Sequence, residues 1–196
     1  MKKTFNLLLI LLFSLTLSQQ TSGRAKDKGL VKLQSWLKGL GKNYSIQKLK
    51  TLKELDLSRK DLKVLSPAIG NLKALKTLDL GRNDLKTLPS TIGNLKALET
   101  LSLGHNELKT LPPEIGKLTA LTWLDLPNNK LKTLPPEIGK LKALIWLVLK
   151  NNQLTSLPPE IGTLKTLRYL YSEDNSFSDK EKEKIKKLLP KCSITF

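Results

Sequence analysis

The two residues best suited to nucleophilic or metal chemistry stand far apart along the chain. His105 is the single histidine and Cys192 the single cysteine among 196 residues. A general base needs a reacting group beside it, and a zinc site needs several ligands clustered together. No repeated spacing pairs His105 with such a group, and one cysteine cannot form an intramolecular disulfide. We therefore expect no enzymatic activity, metal or cofactor, with His105 exposed at a rim and Cys192 a small core residue.

Aromatic residues at a regular spacing indicate partner binding instead. Trp123, Trp146 and Tyr169 follow one another at intervals of 23 residues, and Tyr171 comes next on the same face. Large rigid side chains dominate interfaces because they bury much area at small entropy cost. The alternative is a ladder of rings that only stiffens a sheet. The candidate interface comprises Trp123, Trp146, Tyr169, Tyr171, Ile145, Val148, Arg168, Asn128 and Asn151.

A repeated leucine pattern determines where these aromatic residues lie. From Leu52 the pattern L-x-x-L-x-L-x-x-N-x-L recurs every 23 residues, as in residues 121–131, and it resembles the leucine-rich repeat signature. Alternation around the second and third leucines predicts a short strand in each copy. The asparagine predicts a turn, in which its side chain forms hydrogen bonds with backbone groups. Matching positions of successive copies then become neighbours about 4.8 Å apart.

The segment between strands predicts the outer side of the fold. Residues 111–118 read Leu-Pro-Pro-Glu-Ile-Gly-Lys-Leu, and their prolines prevent sheet pairing. The isoleucine and leucine sit three apart, as in a short helical or 3₁₀ turn. The glycine recurs in every copy, which indicates a position that admits only a small residue. The expected fold class is α/β: a leucine-rich repeat solenoid with a curved parallel sheet on its concave side and short helical or 3₁₀ turns on its convex side.

Helical caps are predicted at both ends of the solenoid. Residues 29–41 carry apolar side chains at helical spacing. Ser178 and Glu181 form a capping-box pattern before a second helix, and residues 192–196 alternate like a final strand. The predicted domains are a signal peptide at 1–23, an N-terminal helical cap and half-repeat at 24–48, the repeat solenoid at 49–177 and a C-terminal cap at 178–196.

The first residues have the pattern of a secretory signal peptide. Lys2 and Lys3 precede an apolar run over residues 7–17, and small residues follow. We expect a mature protein that starts between residues 19 and 24 and that is secreted or held at the cell surface, with the periplasm as an alternative. No later apolar segment of the sequence is long enough for a membrane span.

The charge balance is strongly basic, with 34 Lys and Arg against 17 Asp and Glu. Such an excess attracts polyanions. Two lysine columns recur with the repeat: Lys63, Lys86, Lys109 and Lys132, and Lys73, Lys96, Lys142 and Lys165. Duplication of a soluble repeat accounts for both columns, and a basic stripe for sulfated polysaccharide or lipid head groups is the alternative. Nucleic acid is not expected, because no aromatic residues interleave with the lysines.

The repeat is similar to a particular class of leucine-rich repeats. The pattern L-P-x-x-I-G-x-L-x-x-L, as in residues 88–98, resembles the 23-residue class of plant intracellular Ras-group proteins and their bacterial counterparts. With the N-terminal segment and the ending over 184–196, the chain most resembles exported leptospiral leucine-rich repeat proteins, over about residues 46–196. The resemblance implies a secreted or surface-located binder with a role in host interaction, and it carries no catalytic residues. Lys60 in the asparagine column, Ser66 in place of proline and residues 24–45 depart from the pattern.

The expected function is binding without a reaction. A rigid curved sheet would hold a protein partner, expected to be a host or cell-surface protein, on its concave face over the fourth to sixth repeats. A contact between two copies of the chain would use the same patch. The leading alternative is electrostatic binding of a polyanion, such as a sulfated glycosaminoglycan, through the lysine columns.

Overall fold

A computed structural model describes residues 27–196, which form one parallel β-sheet with helical ends. The predicted signal peptide, residues 1–23, lies outside the described residues. The sheet has seven strands whose order in space is their order in the chain. The strands are β1 Glu54–Asp56, β2 Thr77–Asp79, β3 Thr100–Ser102, β4 Trp123–Asp125, β5 Trp146–Val148, β6 Tyr169–Tyr171 and β7 Ser193–Thr195.

Each strand from β1 to β6 buries its central residue and leaves the two beside it exposed or half-buried, as the alternation predicted. In β4, Leu124 is completely buried, whereas Trp123 and Asp125 lie on the opposite face. Successive strands pair in register, so that Leu124 lies beside Leu101 and Leu147. The first and third residues of all strands therefore form one continuous surface, which we call the concave face. The leucines behind it form a single core that runs along the solenoid.

Short 3₁₀ turns line the other side of the core. They span Pro67–Asn71, Ser90–Asn94, Pro113–Lys117, Pro136–Lys140 and Pro159–Thr163. A proline in the first turn suits these segments, because it sets the backbone angle and lacks an amide that would otherwise be unpaired. Successive turns stack closely: a Cβ placed on Gly93 would lie 2.6 Å from the Glu114 carbonyl oxygen. The glycine column is thus explained by the close approach of the next repeat.

Buried asparagines join each repeat to the one before it. The Asn129 Oδ1 accepts a hydrogen bond from the Leu108 amide at 3.0 Å. Its Nδ2 donates to the carbonyls of Leu103 at 3.0 Å and Leu126 at 3.1 Å. The side chain therefore pairs backbone groups of two neighbouring repeats that the bend would leave unsatisfied. The column repeats these contacts at Asn83, Asn106, Asn152 and Asn175.

Two helices cover the N-terminal end of the core. Helix α1 is described over residues 27–39, slightly earlier than the predicted 29–41, and it buries Leu30, Leu33 and Leu37. Helix α2, Ile46–Thr51, occupies the outer position of a repeat, and the Ser45 hydroxyl caps it by accepting from the Lys48 amide at 3.1 Å. No helix in residues 27–196 is long and apolar enough to cross a bilayer.

Helix α3, Asp179–Leu188, covers the C-terminal end, and Ser178 is its N-cap residue, as predicted. The Ser178 hydroxyl accepts from the Glu181 amide at 3.2 Å. The Glu181 carboxylate, however, accepts from the Leu157 amide at 3.2 Å. This contact fastens α3 to the last full repeat, and it differs from a capping box, in which the carboxylate would reach back to the cap amide.

The break in the leucine pattern at Ser172 has a structural reason. Ser172 occupies the position of the third leucine and is 1% exposed. Both its amide, at 3.0 Å, and its hydroxyl, at 2.7 Å, donate to the Thr195 carbonyl oxygen. A leucine could make only the amide bond. The serine therefore attaches the final strand β7 to the sheet where the repeat ends.

Candidate partner-binding face

The four predicted aromatic residues lie side by side on the concave face. Trp123 and Trp146 are register partners on β4 and β5, and their ring centroids are 5.2 Å apart. Tyr169 on β6 stacks on Trp146 at 5.7 Å. Tyr171 lies 6.4 Å from Tyr169 with its ring nearly parallel. We call these four residues the aromatic ladder. The repeat spacing brings all of them together, as the sequence indicated.

The ladder is open to solvent at its ends and covered in its middle. Trp123 and Tyr169 are each 39% exposed and Tyr171 is 36% exposed. Trp146 is half-buried, because a ring stacks on each of its faces. Three of the four residues are therefore substantially exposed, and Trp146 supports its two neighbours as well as contributing surface.

The other residues predicted on the strands flank the ladder. Val148 is half-buried and lies in register with Asp125 and Tyr171. Ile145 is half-buried beside the ladder. Arg168 is exposed, but its guanidinium donates to the Lys165 carbonyl at 3.0 Å. That bond holds the Arg168 side chain against its own repeat, so the guanidinium lies beside the aromatic ladder and does not cover the rings.

Asn128 and Asn151 lie at the rim, in a column that also contains His105. The Asn151 Nδ2 donates to the Asn128 Oδ1 at 2.6 Å. The Asn128 Nδ2 lies 3.2 Å from the His105 Nε2. All three residues have a positive φ of 53° to 56°, a conformation that asparagine and histidine tolerate better than most residues. The column thus forms a hydrogen-bonded rim, in which the His105 ring contacts the Asn128 amide group.

A column of carboxylates on the concave face was not predicted as part of the site. The Asp56 Oδ1 accepts from the Ser58 amide at 2.8 Å. The Asp79 Oδ1 accepts in the same way from the Gly81 amide, also at 2.8 Å. At Asp125 the residue two positions on is Pro127, which has no amide hydrogen. Within residues 27–196, no hydrogen bond or ion pair reaches the Asp125 carboxylate.

The surroundings of Asp125 disfavour its charged form. Burial raises the pKa of its carboxyl above the usual value, and the charge of Asp79 raises it further, while His105 acts in the opposite direction. In Asp56, hydrogen bonds from Ser58 lower the pKa. Two differences account for the contrast: Asp125 is more buried than Asp56, and it lacks the hydrogen bonds that stabilise an ionised carboxylate. Pro127 is the sequence signal that could have identified Asp125.

Cys192 lies in the C-terminal cap and packs against the core, as expected. It borders a cavity of about 380 Å³ that is lined by apolar residues of the last repeat and the cap, including Leu164, Leu167 and Leu188. Burial raises the pKa of the Cys192 thiol to about 11. The thiol is therefore protonated at neutral pH, which suits a core residue and disfavours a nucleophile.

The two lysine columns differ in their contacts. The lysines of the second column donate to backbone carbonyls of the 3₁₀ turns. These bonds are 2.6 Å for Lys73, 2.9 Å for Lys96, 3.2 Å for Lys142 and 2.8 Å for Lys165. Such contacts satisfy carbonyls at the ends of the turns. The lysines of the first column, Lys63, Lys86, Lys109 and Lys132, are exposed, and no hydrogen bond or ion pair engages their ammonium groups within the described residues.

Potential metal ligands do not converge in the described part of the chain. Among residues 27–196, no group of three or more histidine, cysteine, aspartate or glutamate side chains is arranged to hold a metal ion. The arrangement on the concave face is that of a binding surface: rigid aromatic rings, small polar residues and the half-buried carboxylate of Asp125, which no hydrogen bond or ion pair reaches within residues 27–196.

Known families match the repeats. The family described as leucine-rich repeat region matches residues 97–190, and the leucine rich repeat family matches residues 50–108. No curated protein matches the chain.

Solved structures share the fold. A leucine-rich repeat protein of Leptospira interrogans is similar with 50% identity and a TM-score of 0.75, over 77% of this chain and 38% of that chain. An internalin of Listeria monocytogenes is similar in fold, with 22% identity and a TM-score of 0.65, over 77% of this chain and 45% of that chain. This chain thus spans less than half the length of either relative.

Together the family matches extend over residues 50–190, the same residues that form the register-paired strands, the asparagine column and the 3₁₀ turns. Leucine-rich repeats are in general protein-binding modules without catalytic activity. The chain is a leucine-rich repeat protein.

Proposed function

We propose that this protein is an exported binding module that holds a protein partner, of host or cell-surface origin, on its concave face. The observation that carries the proposal is the aromatic ladder, whose rings stack on neighbouring strands and keep their outer surfaces open. Trp and Tyr are enriched among the residues that contribute most to interface energies.

The rigidity of the ladder favours binding. Each ring is attached to a strand whose central leucine is buried, and stacking restrains the rings against one another. Preorganised side chains lose little entropy when a partner covers them. Stacking that served only to stiffen the sheet would not require rings more than a third exposed, as Trp123 and Tyr169 are at 39%.

Export is supported by the sequence before residue 27. Its basic start and short apolar run are typical of a secretory signal. The similarity to the Leptospira interrogans protein supports a bacterial origin for the repeat type. We place the mature protein outside the cell or on its surface, with the periplasm as the alternative.

Electrostatic binding of a polyanion is the second candidate function. The exposed first lysine column supports it, because the ammonium groups of Lys63, Lys86, Lys109 and Lys132 are not engaged within the described residues. The salt dependence of the binding affinity distinguishes the two functions. Affinity for a sulfated glycosaminoglycan should fall steeply as salt rises, whereas affinity that rests on aromatic burial should change little.

A pull-down with a matched variant tests the proposal. The purified protein is incubated with host and bacterial fractions, in parallel with a Trp146→Thr variant. Threonine is the residue that β2 and β3 already carry at this position, as Thr77 and Thr100, so the fold should accept it. A partner retained by the unaltered protein and lost from the variant supports the concave face. Equal retention by both proteins would contradict it.

A further inference from the structure

The charges of the concave face differ from those of the whole chain. The formal net charge is +17. Along β1 to β7, however, the first and third strand positions carry Glu54, Asp56, Asp79 and Asp125, and no lysine or arginine. The charged residues of the concave face, on β1, β2 and β4, are thus all acidic although the protein is basic, and they favour a positively charged partner surface.

Basic residues border the concave face mainly at its N-terminal end. Lys53 and Lys76 lie beside β1 and β2 on one edge, and Arg59 and Arg82 lie on the other. At β3 and β4 the corresponding edge positions hold Glu99, Thr122, His105 and Asn128. The Asp125 carboxylate therefore has fewer cationic neighbours than Asp56 or Asp79.

A step in the surface lies between β3 and β4. Thr100 is the register partner of Trp123, and Ser102 is the register partner of Asp125. Short side chains thus stand beside a tryptophan and an aspartate. One face of the Trp123 ring stacks on Trp146, so its opposite face is turned towards β3. The step thus exposes the face of the Trp123 ring and the Asp125 carboxylate next to the shorter side chains of β3.

The Asp125 carboxylate lacks the bond that its counterparts make. Asp56 and Asp79 accept turn amides, and Pro127 removes that donor from Asp125. A half-buried carboxylate without a donor is costly until a cation approaches it. A ring face attracts lysine and arginine cations within about 6 Å of its centroid. The two groups together suit an organic cation better than a metal ion, which would need more oxygen ligands.

We propose that the protein partner presents a lysine or arginine side chain to this step, where it covers the open face of Trp123 and pairs with Asp125. The inference rests on the proposed function, because it names the chemistry of the partner that the concave face holds. The cation supplies the donor that Pro127 withholds, and the open face of the Trp123 ring covers part of the apolar stem of the same side chain.

Peptide selection on the full chain tests this inference. A random peptide library is selected on the immobilised protein, after removal of peptides that also bind the Trp146→Thr variant. We expect the remaining peptides to share a lysine or arginine at a fixed position, and replacement of that residue by alanine to weaken binding about tenfold.

Two variants taken from the repeat itself complete the test. Asp125→Ser copies Ser102 and Trp123→Thr copies Thr100, so both introduce residues that a neighbouring strand already carries. Both should weaken the selected peptide about tenfold or more. Asp125→Ser should have a much smaller effect on the peptide that lacks the cation, whereas Trp123→Thr also removes ladder surface and should weaken both peptides. The exposed Asp84→Asn makes a similar charge change away from the concave face and should leave affinity unchanged.

The outcomes separate this inference from the proposed function. Peptides that depend on Trp146 but carry no recurrent cation, or that bind Asp125→Ser as well as the unaltered protein, overturn the inference and leave the proposed function standing. Enrichment of acidic peptides also overturns it. If no selected peptide depends on Trp146, the proposed function itself fails.

Discussion

The Ser172 hydroxyl donates to the Thr195 carbonyl oxygen at 2.7 Å, and this bond joins the last repeat to the final strand. Replacing Ser172 by alanine removes a buried bond, so we expect the free energy of unfolding to fall by about 1 kcal/mol. Urea unfolding measures the change. Ser102→Ala is the matched control, because Ser102 lies on the concave face without a side-chain bond of this kind. Equal losses from both variants would contradict the role given to Ser172.

The leucine core predicts a larger loss. Leu124 is completely buried between Leu101 and Leu147. Leu124→Ala should lower the free energy of unfolding by about 2–5 kcal/mol, because it removes apolar contacts and leaves a cavity. A loss below about half a kilocalorie per mole would show that this residue does not face the core.

The asparagine column predicts a polar contribution to stability. Asn129→Ala should cost about 1–3 kcal/mol, because it leaves the Leu108 amide unpaired and removes one of the two asparagine bonds to each of the Leu103 and Leu126 carbonyls. Asn129→Asp keeps an oxygen for the amide but loses the donor to both carbonyls, and it should also destabilise. Chemical denaturation of the two variants checks this account. Unchanged denaturation midpoints in both variants would show that water can replace the hydrogen bonds of Asn129 to these backbone groups.

The pH dependence of stability tests the environment of Asp125. Its pKa is raised in the folded protein, mainly by burial. The folded state then binds the proton more tightly than the unfolded state, so this group contributes stability at acidic pH that is lost as the pH rises through its folded pKa. Asp125→Asn removes the titration. The variant should therefore be more stable than the unaltered protein at pH 7, with the advantage disappearing as the pH is lowered below the ordinary aspartate range. Thermal melts over this range provide the measurement, and an advantage that grows towards acidic pH would contradict it.

The repeat pattern predicted the fold because a fixed period transfers one set of contacts to every copy. The alternation of the strand predicts that Leu124 is buried. The position of Asn129 after the strand predicts that its side chain forms hydrogen bonds with backbone groups of the turn. The same period placed Trp123, Trp146 and Tyr169 on adjacent strands. These predictions needed only the periodicity of a strand and the spacing of a sheet.

Features that depend on individual side-chain contacts were not predictable in this way. The covering of Trp146 depends on the rotamers of its two neighbours. The Glu181 carboxylate bonds Leu157, which the capping-box pattern did not indicate. Asp56 and Asp79 each accept a hydrogen bond from the backbone amide two residues on. These bonds identify the donor that Asp125 lacks, because Pro127 has no amide hydrogen.

The most direct measurement of the central claim compares partner affinity between two variants of the full chain. Trp146→Ala should weaken binding of a protein partner recovered in the pull-down by about 2 kcal/mol or more, roughly thirtyfold. Neutralising Lys86, Lys109 and Lys132 together, each as Lys→Gln, should change it much less. Melting curves of both variants confirm that each is folded at the binding temperature. The opposite order, with the lysine variant losing binding and Trp146→Ala retaining it, would contradict the concave aromatic interface and favour electrostatic binding through the first lysine column.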